Sequence, residues 1–195
     1  MRTRFFIGTI LLLFCSACIQ IGTPPQPVRY FLLEEIANEV DIYPDFTSTI
    51  TIEVVEFPEY LTRPQVVSQG RKNRIHFSDA QRWAMPLDDN ISAVVRQNLI
   101  RMLPEAQVTI SPWQNLRPAQ YRVELLVSRF SGEPGGLTDI LIRWRIFHED
   151  GTTVEGRLLN RELLGEDYED LVSGLNHAID LLSSALATAL AEPED

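Results

Sequence analysis

The 195 residues carry 17 basic and 27 acidic side chains, for a net charge of −10, with 45% hydrophobic and 23% charged residues. That balance puts the chain in the globular class and sets it against nucleic acid and anionic surfaces as general partners. Both cysteines, Cys15 and Cys18, lie in the first eighteen residues, so the remainder offers no disulfide, thiolate nucleophile or cysteine metal ligand.

The chain opens with Arg2 and Arg4, an apolar run from Phe5 to Phe14, and then Cys15-Ser16-Ala17-Cys18. A basic head, an apolar segment and small residues before a cleavage point make a secretory signal peptide. A cysteine directly after that small pair is the acceptor pattern of a bacterial lipoprotein. Residues 1–17 are therefore expected to be removed, leaving Cys18 as a lipid-bearing N-terminus. The place three residues before the acceptor usually holds Leu and here holds Cys15; Cys15 as acceptor is worse, because Phe14 would sit next to the cut. Plain secretion and an uncleaved anchor from Phe5 to about Gly22 remain as alternatives, the latter barely reaching the roughly 20 apolar residues a span needs. Loss of Arg2 and Arg4 takes the 17 basic residues to 15 against 27 acidic, or −12. Membrane attachment would then come from lipid on Cys18; one acyl chain holds reversibly and several hold stably.

Residues 18–27, with Pro24, Pro25 and Pro27, read as an extended tether. At about 3.1 Å per residue it reaches roughly 25–30 Å. A single domain is expected over 28–195. Val28 to Leu33 is a short β-prone run, and Ile36 to Ser48 has no period and reads as a loop. Ile50 to Phe57 is a strand with apolar residues on both faces. Pro58 and Pro64 bracket a turn, Glu59 to Arg63. Gln65–Ser68 and Arg74–Phe77 flank Gly70-Arg71-Lys72-Asn73, a polar hairpin loop that holds the one Lys of the chain.

Asp88 is placed to cap a helix whose Ile91, Val94, Val95, Leu99 and Met102 form one apolar stripe, and Pro104 ends it. Gln107 to Ser111 is a short strand. Tyr121, Val123, Leu125 and Val127 alternate along one strand, as do Ile140, Ile142, Trp144 and Ile146 along the next, with Pro134-Gly135-Gly136 turning the chain between them. Val154 to Leu164 is a third strand whose apolar phase changes at Leu158-Leu159, the mark of a bulge or of a fully buried stretch. The last element is a helix from about Tyr168 to Ala191, roughly 36 Å long at 1.5 Å per residue. Glu166, Asp167, Glu169 and Asp170 crowd its N-terminus, where the helix dipole favours negative charge. Two helices among runs of strands indicate an α/β sandwich with a mixed sheet. The three strands after Tyr121 are expected to be antiparallel neighbours. The passage from Arg74 through the Asp88 helix to Gln107 suggests a parallel crossover.

Chemistry is sparse. A nucleophile elbow, a phosphate-binding loop and a His-Glu-x-x-His motif are all missing from the sequence. His76-Phe77-Ser78-Asp79 holds fragments of a Ser/His/Asp site, which a strand end explains as well. His148-Glu149-Asp150 reads as a hairpin tip rather than a ligand set, and helical phase puts His177 on the surface. No catalytic residue, metal or cofactor is expected beyond the covalent lipid. Tyr60, Trp83 and Trp113 fall outside the periodic stripes, beside prolines; such aromatics serve either core-edge packing or a protein contact.

The stretch from Val54-Val55-Glu56-Phe57-Pro58-Glu59-Tyr60-Leu61-Thr62-Arg63-Pro64-Gln65, with Arg82-Trp83-Ala84-Met85-Pro86-Leu87-Asp88-Asp89-Asn90-Ile91, resembles the ABC-type transport auxiliary lipoproteins of the PqiC/YmbA type. Tyr30-Phe31-Leu32-Leu33, Pro112-Trp113, Tyr121-Arg122-Val123, Arg129-Phe130 and Asp167-Tyr168 extend the likeness over nearly the whole mature chain. The resemblance implies a three-layer α/β/α sandwich with a mixed sheet. It implies a non-catalytic outer-membrane lipoprotein on the periplasmic face, held in the inner leaflet. Its partner would be an MCE-type periplasmic protein that moves lipid or another hydrophobic solute between membranes. By the lipoprotein sorting rule, Ile19 in place of Asp directs it to the outer membrane. The expected partner contact is Tyr60, Leu61 and Arg63 with Trp83. A homo-oligomer stays open, as do a structural envelope lipoprotein and a lipid-binding protein without a transporter.

Overall fold

A computed structural model of the chain describes residues 26–70, 74–111 and 119–192. The expectations for Cys18 and its signal, for the Arg71-Lys72-Asn73 loop and for Trp113 lie outside the described residues. The elements run β1 (Arg29–Phe31), β2 (Thr49–Glu56), β3 (Gln65–Gly70), β4 (Arg74–Trp83), α1 (Leu87–Met102), β5 (Gln107–Ile110), β6 (Tyr121–Gly132), β7 (Thr138–His148), β8 (Thr153–Asn160) and α2 (Tyr168–Ala191). One mixed sheet takes all eight strands in the order β1-β4-β3-β6-β2-β5, with β7 on the other side of β6 and β8 beyond it. The chain is thus an α/β sandwich with a mixed sheet and a long C-terminal helix. Strand β6 is the hinge of the topology. Its first half pairs in parallel with β2, and Gly132 at its end pairs with Ser68 of β3.

Period-two alternation selects the face that is covered. Ile50 and Ile52 of β2, Val123, Leu125 and Val127 of β6, and Ile140, Ile142, Trp144 and Ile146 of β7 are all buried. Both helices lie on that face and pack against each other. The stripe of α1 (Ile91, Val94, Val95, Leu99, Met102) and that of α2 (Leu171, Leu175, Ile179, Leu182, Leu186, Leu190) complete the core. Helix α2 begins with a capping box, in which Asp167 accepts from the Asp170 amide and the Asp170 carboxylate reaches back to the Asp167 amide. Asp88 is not a cap. The N-cap position of α1 is Pro86, which makes no side-chain cap bond, and Asp88 and Asp89 sit inside the first turn, where they act on the helix dipole.

The outer layer over the helices is the extended segment between β1 and β2, which closes the seam between them. Leu33 exchanges hydrogen bonds with Asn90, its amide donating at 2.7 Å, and the Ile36 amide donates to Asn98 Oδ1 at 2.8 Å. The Glu34 amide donates to Asn176 Oδ1 of α2 at 2.7 Å, and the Arg101 guanidinium donates to the Ile36 carbonyl. Asn98 is wholly buried and donates in turn to Ser183 of α2 at 3.1 Å. A buried amide with each group paired is tolerated in a core; an unpaired one is costly.

Two further expectations are corrected. Strands β4 and β5 are neither neighbours nor parallel; the parallel crossover joins β2 to β5, with β3, β4 and α1 in between. Strand β8 carries no bulge, because its register with β7 is unbroken from Thr153 to Asn160. Leu158 faces the core and Leu159 is 59% exposed, so the change of phase marks an apolar residue on the open face. The irregularity lies instead in β6, between Val127 and Arg129.

Candidate interaction surface

The residues Pro58 to Gln65 leave β2 as a single 3-10 turn, Glu59–Leu61. The Leu61 amide donates to the Pro58 carbonyl at 2.9 Å and the Thr62 hydroxyl to the Glu59 carbonyl at 2.8 Å, so the turn is rigid at both ends. Leu61 is 1% exposed, anchored in the core. That anchor turns its neighbours Tyr60 and Arg63 outward: Tyr60 is half-buried, and the exposed Arg63 lays its guanidinium over the Phe77 ring at 4.8 Å. Burial raises the Tyr60 phenol above its ordinary value of 10.0; Asp139 adds to the rise and Arg129 opposes it. The hydroxyl therefore stays protonated and able to donate at neutral pH.

The two longer segments of the resemblance meet here. The Trp83 amide donates to the Pro64 carbonyl at 2.7 Å, Arg82 stands opposite Gln65, and the Ala84 amide donates to the Phe31 carbonyl at 2.9 Å. Trp83 itself is 5% exposed. Of the four residues expected to contact a partner, Leu61 and Trp83 thus sit in the core, Tyr60 is half-buried against it, and Arg63 is exposed. A buried tryptophan beside Pro86 and an exposed one look alike in sequence; only the β3–β4 pairing decides between them.

The remaining chemical candidates are dispersed. His76 is exposed on β4, and the Ser78 hydroxyl donates to Gln81 rather than to a base. At the β7–β8 tip, His148 Nδ1 lies 2.8 Å from Asp150. His177 is exposed on α2 with Nδ1 2.7 Å from Glu162. Among the described residues, no group of three or more His, Cys, Asp or Glu is placed to hold a metal ion. No described helix is long and apolar enough to cross a membrane.

Sequence reasoning missed the open face of the sheet. Away from the helices, β2, β6, β7 and β8 present charged rows. Glu124, 7% exposed, bridges Arg122 and Arg145, the latter at 2.7 Å, and both arginines lie over the Phe147 ring, at 4.4 and 5.6 Å. Toward Tyr60, Asp139 joins Arg129 at 3.0 Å and Arg161 at 3.5 Å. Alternation in β7 and β8 signals that such a face exists, and only the register tells which charges share a row.

A family model described as ABC-type transport auxiliary lipoprotein component matches residues 31–187, and the chain belongs to that family. A crystal structure of an uncharacterized protein, 22% identical, superimposes with a TM-score of 0.71 over 85% of this chain and 99% of that one. A second, from Xanthomonas campestris, is 12% identical with a TM-score of 0.65, over 83% of this chain and 95% of that one. These two likenesses show the fold. No curated protein matches the chain.

Proposed function

We propose that this chain is a non-catalytic docking component of an intermembrane transport system, anchored to the periplasmic face of the outer membrane by lipid on Cys18. Its partner in this reading is an MCE-type periplasmic protein that carries lipid or another hydrophobic solute, and the contact lies on the Tyr60–Pro64 turn. The match to a transport auxiliary family across the folded body carries the reading. The turn supports it as well: an amphipathic tyrosine and an arginine are held outward by a buried leucine and tryptophan, the residue types and the rigidity that interface hot spots favour. Ile19 after the acceptor cysteine supports the outer membrane, and the net negative charge leaves lipid as the anchor.

The test separates contact from packing. Tyr60→Ala with Arg63→Ala is expected to weaken co-purification with the transport protein about tenfold or more while the protein stays folded, at a smaller cost in melting temperature than Trp83→Ala. Trp83→Ala is expected to cost about 3–5 kcal/mol of stability, because it empties a core site. Unchanged co-purification in the folded double variant would remove this surface from the account.

A further inference from the structure

Arg143 of β7 and Arg157 of β8 stand directly opposite each other on the open face of the sheet, and both are exposed. Like charges opposite each other in adjacent strands repel and destabilise the pairing unless something offsets them. Neither has an ion-pair partner among the described residues, whereas Arg122, Arg129, Arg145 and Arg161 on the same face are all paired. The two arginines line a cleft of about 460 Å³ together with Glu56, Leu126, Arg145 and Glu155. Arg145 brings a buried Nε with no hydrogen-bond partner. Neither cleft carboxylate is in ion-pair contact with Arg143 or Arg157. Leu126 separates Glu56 from Arg143 along the row, and Glu155 belongs to the next row, opposite Arg145.

In the adjoining row on the other side Arg129, Leu141 and Leu159 stand in line, and Arg129 is held by Asp139. Leu141 and Leu159 face each other there, and Leu159 is 59% exposed. Rows on one face repeat about every 7 Å along a strand. Two guanidinium groups, each able to meet phosphate oxygens in a bidentate fork, therefore lie one row from the exposed Leu159 and the half-buried Leu141 beside it.

We propose that this cleft binds the phosphate of a phospholipid headgroup, gripped by Arg143 and Arg157, with the first methylenes of the chains on Leu141 and Leu159. The inference rests on the transport reading for its context and names the solute class, and the two fail separately, because the cleft does not include Tyr60 or Arg63. The test uses the full chain in a neutral detergent, titrated by calorimetry with dihexanoyl phosphatidylglycerol and, in parallel, with inorganic phosphate. Binding of the lipid is expected to fall about tenfold or more in Arg143→Gln/Arg157→Gln. It should fall measurably in Leu159→Ser and stay unchanged in Arg29→Gln, which alters a surface arginine paired with Glu169. Co-purification with the transport protein should survive in the arginine variant. Lipid binding that ignores Arg143 and Arg157, or inorganic phosphate bound as tightly as the lipid, would overturn the proposal; the second result would mark a free-anion site.

Discussion

At the tip of the β7–β8 hairpin, the Thr152 amide donates to Asp150 Oδ1 at 2.8 Å, and His148 Nδ1 stands 2.8 Å from the same oxygen. The Thr152 bond, then the His148 contact, lowers the Asp150 carboxyl from 3.8 to about 2. A depressed acid favours the folded turn above its ordinary pKa, and that contribution is lost as pH falls from about 3.8 toward 2. The Thr152 amide shift followed by NMR should titrate with a midpoint near 2; a midpoint near 3.8 would mean that the turn does not hold the carboxylate. Asp180 has the opposite sign. Burial raises it, and the Asn98 amide at 3.3 Å and His177 only partly offset that, so its charge works against the fold as pH rises above its ordinary value. The hairpin tip was legible, because Glu149-Asp150-Gly151 names a turn. The Asn98 partner of Asp180 was not, since it comes from the other helix.

Among the elements, α2 was the most legible and the strap over the helices the least. The apolar stripe and acidic start of α2 fix both its ends, at Tyr168 and Ala191. The strap has no period to read, because its partners are side chains 57, 62 and 142 residues away in sequence. Asn98 is the centre of that arrangement, with Ile36 on one side and Ser183 on the other. Asn98→Leu should therefore strand the Ile36 amide and lower stability by about 1–3 kcal/mol in urea unfolding. A variant as stable as the parent would show that the strap does not depend on this bond. In β8, alternation is legible up to Leu158-Leu159, where an apolar residue on the open face imitates a bulge or a buried stretch.

For the whole molecule, the described helices, the segment between β1 and β2 and the inward rows of the sheet leave one broad face uncovered among the described residues, bordered by the Tyr60 turn. Composition made the globular class and the acidic surface legible. It could not reveal that arginines gather on that face, because Arg143 and Arg157 lie fourteen positions apart and meet only through the hairpin register. The same holds for the turn. Its aromatics stand out in the sequence as lying outside the periodic stripes beside prolines, yet only the fold sorts the turn into a buried pair, Leu61 and Trp83, and an outward pair, half-buried Tyr60 and exposed Arg63. A docking module needs that outward pair to meet a transport protein, and the most direct measurement is site-specific photo-crosslinking in intact cells. A photoreactive residue at Arg63 should capture an MCE-type periplasmic protein, identified by mass spectrometry, while one at the exposed Ser173 of α2 should not. No capture of a transport protein at Arg63, or equal capture at Ser173, would contradict the account.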